Sequence, residues 1–310
     1  MGDRTVSAWH AVTDSDAFRW FAKRGPGRPI LRSRAFRRVD TVRRHTLASS
    51  AMRRSPDRFA QVRTFCFFVG HNKSGTSLLG GLLDAHRHIV LADEVDALRY
   101  VEAGFAREQI FHLLERGSRS EARKGRVTAR RLQPYSYHVP GQWQGDTDVP
   151  HVVGDGRSGT STRRLGARPD LCDRIRGLMP GVDVRLIQVI RNPFDPISLM
   201  MVRGNRSFAR AIDHYFAACE TLTRIRRAQG SAVIPVRYEV FVADPVSGLM
   251  SVCAFLGVDA DRGYLDACAS VVRPRPDRGR ELVPWTRSLI DDVERRLARF
   301  DFLEGYTYAS

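Results

Sequence analysis

Apolar runs of strand length alternate along this chain with longer stretches whose apolar positions recur at helical spacing. Strand-like runs fall at 65–69, 89–92, 151–153, 184–190 and 232–236. Helical patterns fall between them at 77–85, 94–115, 163–178, 193–203, 208–228 and 245–256, with a last amphipathic stretch near 286–300. Short β-rich runs separated by helices predict an α/β fold, in which a parallel sheet is covered by helices on both faces. The segment 134–150 breaks this rhythm with Tyr135, Tyr137, His138 and Trp143 among Gly, Pro and Gln. It reads as a long surface excursion, either a binding lid or a strap packed onto the domain.

The boundary between the first strand and the first helix carries the chemistry. Phe65-Cys66-Phe67-Phe68-Val69 gives way to Gly70-His71-Asn72-Lys73-Ser74-Gly75-Thr76-Ser77 before a helix resumes. Gly70 and Gly75 allow backbone angles that a side chain forbids, and the Ser/Thr cluster is expected to cap the helix. Unpaired amides at a helix start attract anions, and Lys73 adds a full charge to them. Compared with the nucleotide-triphosphate loop G-x-x-x-x-G-K-[ST], the glycines are correctly spaced, but Thr76 stands where the lysine belongs. The lysine comes three residues early. A plain Gly/Ser turn with a solvated lysine is the bland alternative.

Composition narrows the setting without naming a partner. The chain has 310 residues, 43% of them hydrophobic, enough for one large core with a modest appendage. Its formal net charge is +16, mostly from arginine, which favours planar recognition of phosphate and carboxylate. Residues 1–62 are strongly basic and poorly periodic, and read as an N-terminal extension ahead of an α/β domain at 63–310. Five scattered cysteines, without a C-x-x-C pair, suit reduced thiols in a cytoplasmic protein. No run has the length of a membrane span, and neither a secretion signal nor a myristoylation signal is read at the N-terminus.

Two further segments follow the loop in order. The strand 184–190 ends in Arg191-Asn192-Pro193, with Ser198 on the next helix. An arginine at a strand tip and a helix serine can converge on one phosphate, or the arginine can simply pair with Asp195. Next comes Pro235-Val236-Arg237-Tyr238-Glu239, with Asp244-Pro245 and Phe255-Leu256-Gly257 beyond it. Arg278 and Arg280 lie in an arginine-rich turn ahead of Trp285.

Lys73-Ser74-Gly75-Thr76-Ser77, the R-N-P strand end and the R-Y-E, D-P and F-L-G segments together resemble sulfotransferases that use 3′-phosphoadenosine-5′-phosphosulfate (PAPS). The resemblance covers about residues 65–305. It implies a P-loop-like three-layer sandwich and in-line sulfuryl transfer to an acceptor hydroxyl, leaving adenosine 3′,5′-bisphosphate (PAP), with no metal. It further implies that Lys73 and the amides of Ser74, Gly75, Thr76 and Ser77 hold the 5′-phosphosulfate. Arg191 and Ser198 would hold the 3′-phosphate, although Ser198 follows Arg191 by seven positions where eight is usual. Tyr238 would border the adenine, and Arg278 and Arg280 would cover the 3′-phosphate. Glu94, directly after the second strand, takes the place of the catalytic glutamate in carbohydrate-type members; His138 is the competing base. Asp93 and Glu94 otherwise read as acids opening a helix.

Two features weigh less. Arg157-Ser158-Gly159-Thr160-Ser161 echoes the first loop without a lysine, and His86 and His88 lack a third metal ligand. A kinase or hydrolase of nucleoside triphosphates, or a nonenzymatic binder of polyanions, stands as the alternative. No specific nucleic-acid partner is expected, because no groove-reading motif is present. Acceptor identity, whether glycan, lipid or small metabolite, stays open, as does oligomeric state.

Overall fold

A computed structural model of the protein describes residues 34–93, 95–127, 135–204, 206–274 and 278–310, with side chains from residue 38 onward. The chain divides into two units, Met1–Arg53 and Arg54–Ser310. Within the first, residues up to 33 lie outside the described part. Helix α1 (Arg34–Arg54) is a single element of 21 residues. The second unit begins ahead of the expected position 63: Phe59 and Val62 are buried, and Phe59 meets Phe111 edge-on at 5.4 Å.

The second unit is built on five parallel strands, β1 (Thr64–Gly70), β2 (Ile89–Ala92), β3 (Val152–Asp155), β4 (Asp183–Ile190) and β5 (Val233–Arg237), in the order β2-β3-β1-β4-β5. β1 is central and wholly buried, which explains its unbroken apolar run. Alternate side chains serve opposite layers. Cys66 and Phe68 join Leu78 and Leu82 of α2 (Thr76–Leu83) in one core cluster, together with Leu249 and Val252 of the helix Pro245–Leu256. Phe65 stacks at 6.0 Å on Phe111 of the helix Arg107–Arg123, on the other face.

Two expected helices are each broken in two. The pattern at 94–115 yields α3 (Ala97–Glu102) and α4 (Arg107–Arg123), because Gly104 turns the chain at φ 78°. The pattern at 163–178 yields α5 (Ser158–Ala167) and α6 (Leu171–Leu178), parted beside Pro169, which disfavours helix at the residue before it. After β4 come α7 (Phe194–Gly204) and α8 (Phe208–Gln229); after β5 come α9 (Tyr238–Ala243), α10 (Pro245–Leu256), α11 (Arg262–Ser270) and α12 (Arg287–Leu297). The crossover that leaves β1 runs toward the β2 edge, and the one that leaves β4 runs toward β5. Ligands in such sheets bind beyond the strand ends where the crossovers part, here between β1 and β4.

Candidate active site

The loop from β1 into α2 owes its shape to three left-handed residues: Gly70 at φ 134°, Lys73 at φ 73° and Gly75 at φ 95°. A Cβ at Gly70 would lie 3.0 Å from the Val189 carbonyl oxygen, so β1 and β4 can close only on a glycine. Contrary to expectation, no Ser or Thr side chain caps α2. Gly75 is its N-cap, with no side-chain hydrogen bond. The first amides bonded inside the helix are those of Leu78 and Leu79, to the Gly75 carbonyl. The amides of Ser74, Gly75, Thr76 and Ser77 precede them, at the end of the helix where anions are favoured. His71 fixes the base of the loop: its ring stacks on Tyr215 at 3.8 Å and its Nε2 meets the Tyr215 carbonyl at 3.0 Å. Burial lowers the His71 pKa to about 4, so the ring is neutral and Nε2–H donates.

At the tip of β4, Arg191 is almost wholly buried. Its Nη1 donates to the Lys73 carbonyl at 3.3 Å, and its Nε faces Asp195 Oδ2 at 3.4 Å. The guanidinium also lies 4.9 Å above the Tyr238 ring centre. Tyr238 reaches the loop through Gly75, where a Cβ would come within 2.1 Å of the tyrosine Cδ2. Thus Lys73, Gly75, Arg191 and Tyr238 are brought together at one mouth. Tyr238 opens α9 and does not end a strand, and the following Glu239 accepts the Asn192 amide at 2.8 Å.

Ser198 and Arg280 are placed differently. Ser198 is fully buried; its hydroxyl donates to the Phe194 carbonyl at 2.7 Å and accepts from Trp285 Nε1 at 3.0 Å. Seven residues from Arg191, it faces the Trp285 packing. The Arg280 amide donates to Asp195 Oδ1 at 3.0 Å, its side chain donates through Nη2 to the Ser310 carbonyl, and Nη1 is buried with no partner among the described residues. Asp195 therefore lies between two arginines, an arrangement the spacing of 85 residues from Arg280 conceals. Arg278 is exposed.

Beyond β2, Glu94 lies outside the described residues. Its neighbour Asp93 accepts from Ser77 Oγ at 3.4 Å, and a Cβ at Gly156 would sit 3.4 Å from Asp93 Oδ1. His138 is exposed, and its amide donates to Ser136 Oγ at 3.1 Å. The second Ser-Gly-Thr-Ser segment starts α5 against the first loop: Ser158 Oγ donates to the His71 carbonyl, and Gly159 packs on Asn72. In front of it Asp155, paired in register with Ala92, accepts the Ala97 amide through Oδ2 at 2.6 Å. Burial raises its pKa to about 7, the Ala97 amide opposing, with Asp96 and Asp93 adding to the rise.

At the opposite end of the strands, His88 stacks on His151 at 4.3 Å and His86 bonds the Asp259 carbonyl at 2.8 Å. Among the described residues no group of three or more His, Cys, Asp or Glu is arranged for a metal ion, and no helix is long and apolar enough to cross a membrane.

The family model that matches the protein is the sulfotransferase family, over residues 171–262, which carry Arg191 and Tyr238. Its chain is similar to the sulfotransferase domain of the Synechococcus olefin synthase, at 17% identity and TM-score 0.46, over 76% of this chain and 94% of that one. A sulfotransferase from Mycobacterium avium gives 11% and 0.47, over 82% and 81%. A mouse sulfotransferase complexed with PAP gives 13% and 0.43, over 84% and 91%. No curated protein matches by sequence.

Proposed function

We propose that the protein transfers a sulfuryl group from PAPS to an acceptor hydroxyl. The observation that carries this reading is the 3.3 Å contact of Arg191 with the Lys73 carbonyl, which brings two anion-seeking elements side by side at one mouth. The residues present fit such a donor: a helix start whose side-chain cap is absent, a lysine, a buried arginine, a tyrosine against the loop, and an Arg280 Nη1 without a partner among the described residues.

PAPS, when bound, supplies an activated sulfuryl group on a good leaving phosphate. The amides of Ser74, Gly75, Thr76 and Ser77 hold the 5′ end, and Lys73 neutralises the oxygen that gains charge. Arg191 holds the 3′-phosphate and Tyr238 borders the adenine, with Arg278 and Arg280 entering from the turn before α12. Ser198 supports that subsite through Trp285. Glu94, directly after β2 in the sequence, takes the acceptor's proton, with His138 as the competing group. Positioning and charge supply the acceleration, as in phosphoryl transfer.

One observation favours a second reading. The Ser77–Asp93 pair resembles the hydroxyl and acid that hold magnesium in nucleoside triphosphate enzymes, although Thr76 occupies the lysine position. Magnesium-dependent ATP turnover would support it. The direct test of the first reading is transfer of labelled sulfate from PAPS to a panel of hydroxyl acceptors, where folded Lys73→Ala should lose about 100-fold or more in rate. An unchanged rate in that variant contradicts the assignment.

A further inference from the structure

Helix α2 is the floor of more than the nucleotide loop. Gly75 admits Tyr238, Ser77 faces Asp93, and Gly81 admits Tyr137, whose Cβ would lie 3.0 Å from a side chain placed there. Two small residues thus let two tyrosines descend onto one helix, on either side of the Asp93 contact in sequence. Burial raises the Tyr137 pKa, Asp93, Tyr238 and Tyr135 add to the rise, and Arg203 opposes it.

Tyr135 stands edge-on to Tyr137, with centroids 5.2 Å apart and planes at 83°. Its hydroxyl donates to the Val271 carbonyl at 2.5 Å, and the exposed Arg273 guanidinium lies 4.6 Å above its ring centre. The strap that carries both rings is tied down from beneath. The Tyr137 amide donates to the Arg126 carbonyl at 3.1 Å, and Gln144 Nε2 donates to the Tyr137 and Gly81 carbonyls at 2.8 and 2.6 Å. Arg126 pairs with the buried Asp84, which also accepts from Ser118 Oγ at 2.8 Å and the Gly145 amide at 3.2 Å. These are fixed walls, so little ordering cost falls on a ligand that meets them.

We infer that Tyr135 and Tyr137 form the acceptor subsite, and that the acceptor is a flat aromatic hydroxyl compound carrying an anionic group that Arg273 meets. The inference rests on the sulfotransferase reading and names its acceptor class. Two rings at right angles make a slot whose contacts favour another ring, face to one wall and edge to the other. A sugar would need hydrogen-bonding side chains instead, and the strap's own are engaged internally: Gln144 on two carbonyls, and Ser136 Oγ on the Gly125 carbonyl at 2.8 Å. The guanidinium at Tyr135 matches a carboxylate or similar planar anion.

The test is calorimetric titration of 4-hydroxybenzoate, phenol and methyl glucoside into the protein, with and without PAP. The inference expects 4-hydroxybenzoate to bind about tenfold more tightly than phenol, and methyl glucoside to bind weakest. Arg273→Ala should erase the preference for the carboxylate. Tyr137→Ala should weaken both aromatic probes by about tenfold with PAP affinity unchanged, while Tyr137→Phe, which keeps the ring, should retain them. Absence of aromatic binding, glucoside binding as tight as 4-hydroxybenzoate, or aromatic affinity lost equally in Tyr137→Phe overturns the inference. Failure of PAP to bind the wild-type protein would instead remove the sulfotransferase reading, and the titrations without PAP still score the slot.

Discussion

The guanidinium of Arg191 donates to the backbone carbonyl of Lys73 at 3.3 Å, so the strand tip of β4 braces the loop that follows β1. The same guanidinium meets Asp195 and lies over Tyr238. One side chain therefore ties three separate segments of the chain to a single mouth. Its planar fork performs this task; a lysine ammonium, a point charge on a flexible stem, cannot reproduce it.

Arg191→Lys should therefore weaken PAP binding by about tenfold or more, although formal charge is conserved. Isothermal titration measures it. An affinity within twofold of wild type would show that charge alone suffices and that the fork has no role.

Ser198→Ala tests the placement of the serine behind Trp285. Removing its hydroxyl takes from the half-buried Trp285 Nε1 its 3.0 Å acceptor, at a cost of about 0.5–1.5 kcal/mol. Thermal unfolding should register this loss while PAP affinity changes by less than about threefold, or 0.65 kcal/mol. A large loss of PAP affinity at unchanged stability would instead put the hydroxyl on the 3′-phosphate.

Asp155 gives the fold a pH dependence whose sign is opposite to that of a salt-bridged carboxylate. Its folded pKa of about 7 lies above the ordinary 3.8, so the folded protein keeps a proton that the unfolded chain releases. Near pH 4 and below, the group has little effect. Stability then falls as pH rises toward 7, and above that the penalty is complete. Asp155→Asn keeps an acceptor for the Ala97 amide and removes the titration. The variant should gain stability over wild type between pH 4 and pH 8, by about 2–4 kcal/mol at the upper end. Parallel melting curves for the two proteins across that range would contradict the buried, proton-holding state.

Local signals were legible where the chain announces its own geometry. The D-P start and F-L-G end of α10 correspond to a side chain of Asp244 accepting the Ser247 amide, a proline in the first turn, and Gly257 at φ 77°. Gly70 and Gly75 were likewise readable, since positive φ values demand them. Apolar periodicity ran on through Gly104 and Pro169, so it merged helices that the backbone breaks. The Ser/Thr cluster suggested a cap because those residues usually cap, but the left-handed Gly75 takes that position. Hidden entirely were the contacts between distant segments: Arg280 on Asp195, Tyr238 on Gly75, Tyr137 on Gly81. No local pattern encodes them, because each depends on which strand ends the sheet order makes neighbours.

Binding of adenosine 3′,5′-bisphosphate is the most direct test of a mouth shared by Lys73 and Arg191. At one hundred times its dissociation constant, PAP should stabilise the protein by about 2.7 kcal/mol, a rise of roughly 5–10 °C in melting temperature. ATP with magnesium should give a much smaller shift, and Lys73→Ala and Arg191→Ala should each reduce the shift with PAP. An equal or larger response to ATP with magnesium, or a PAP response untouched by both substitutions, would contradict the account.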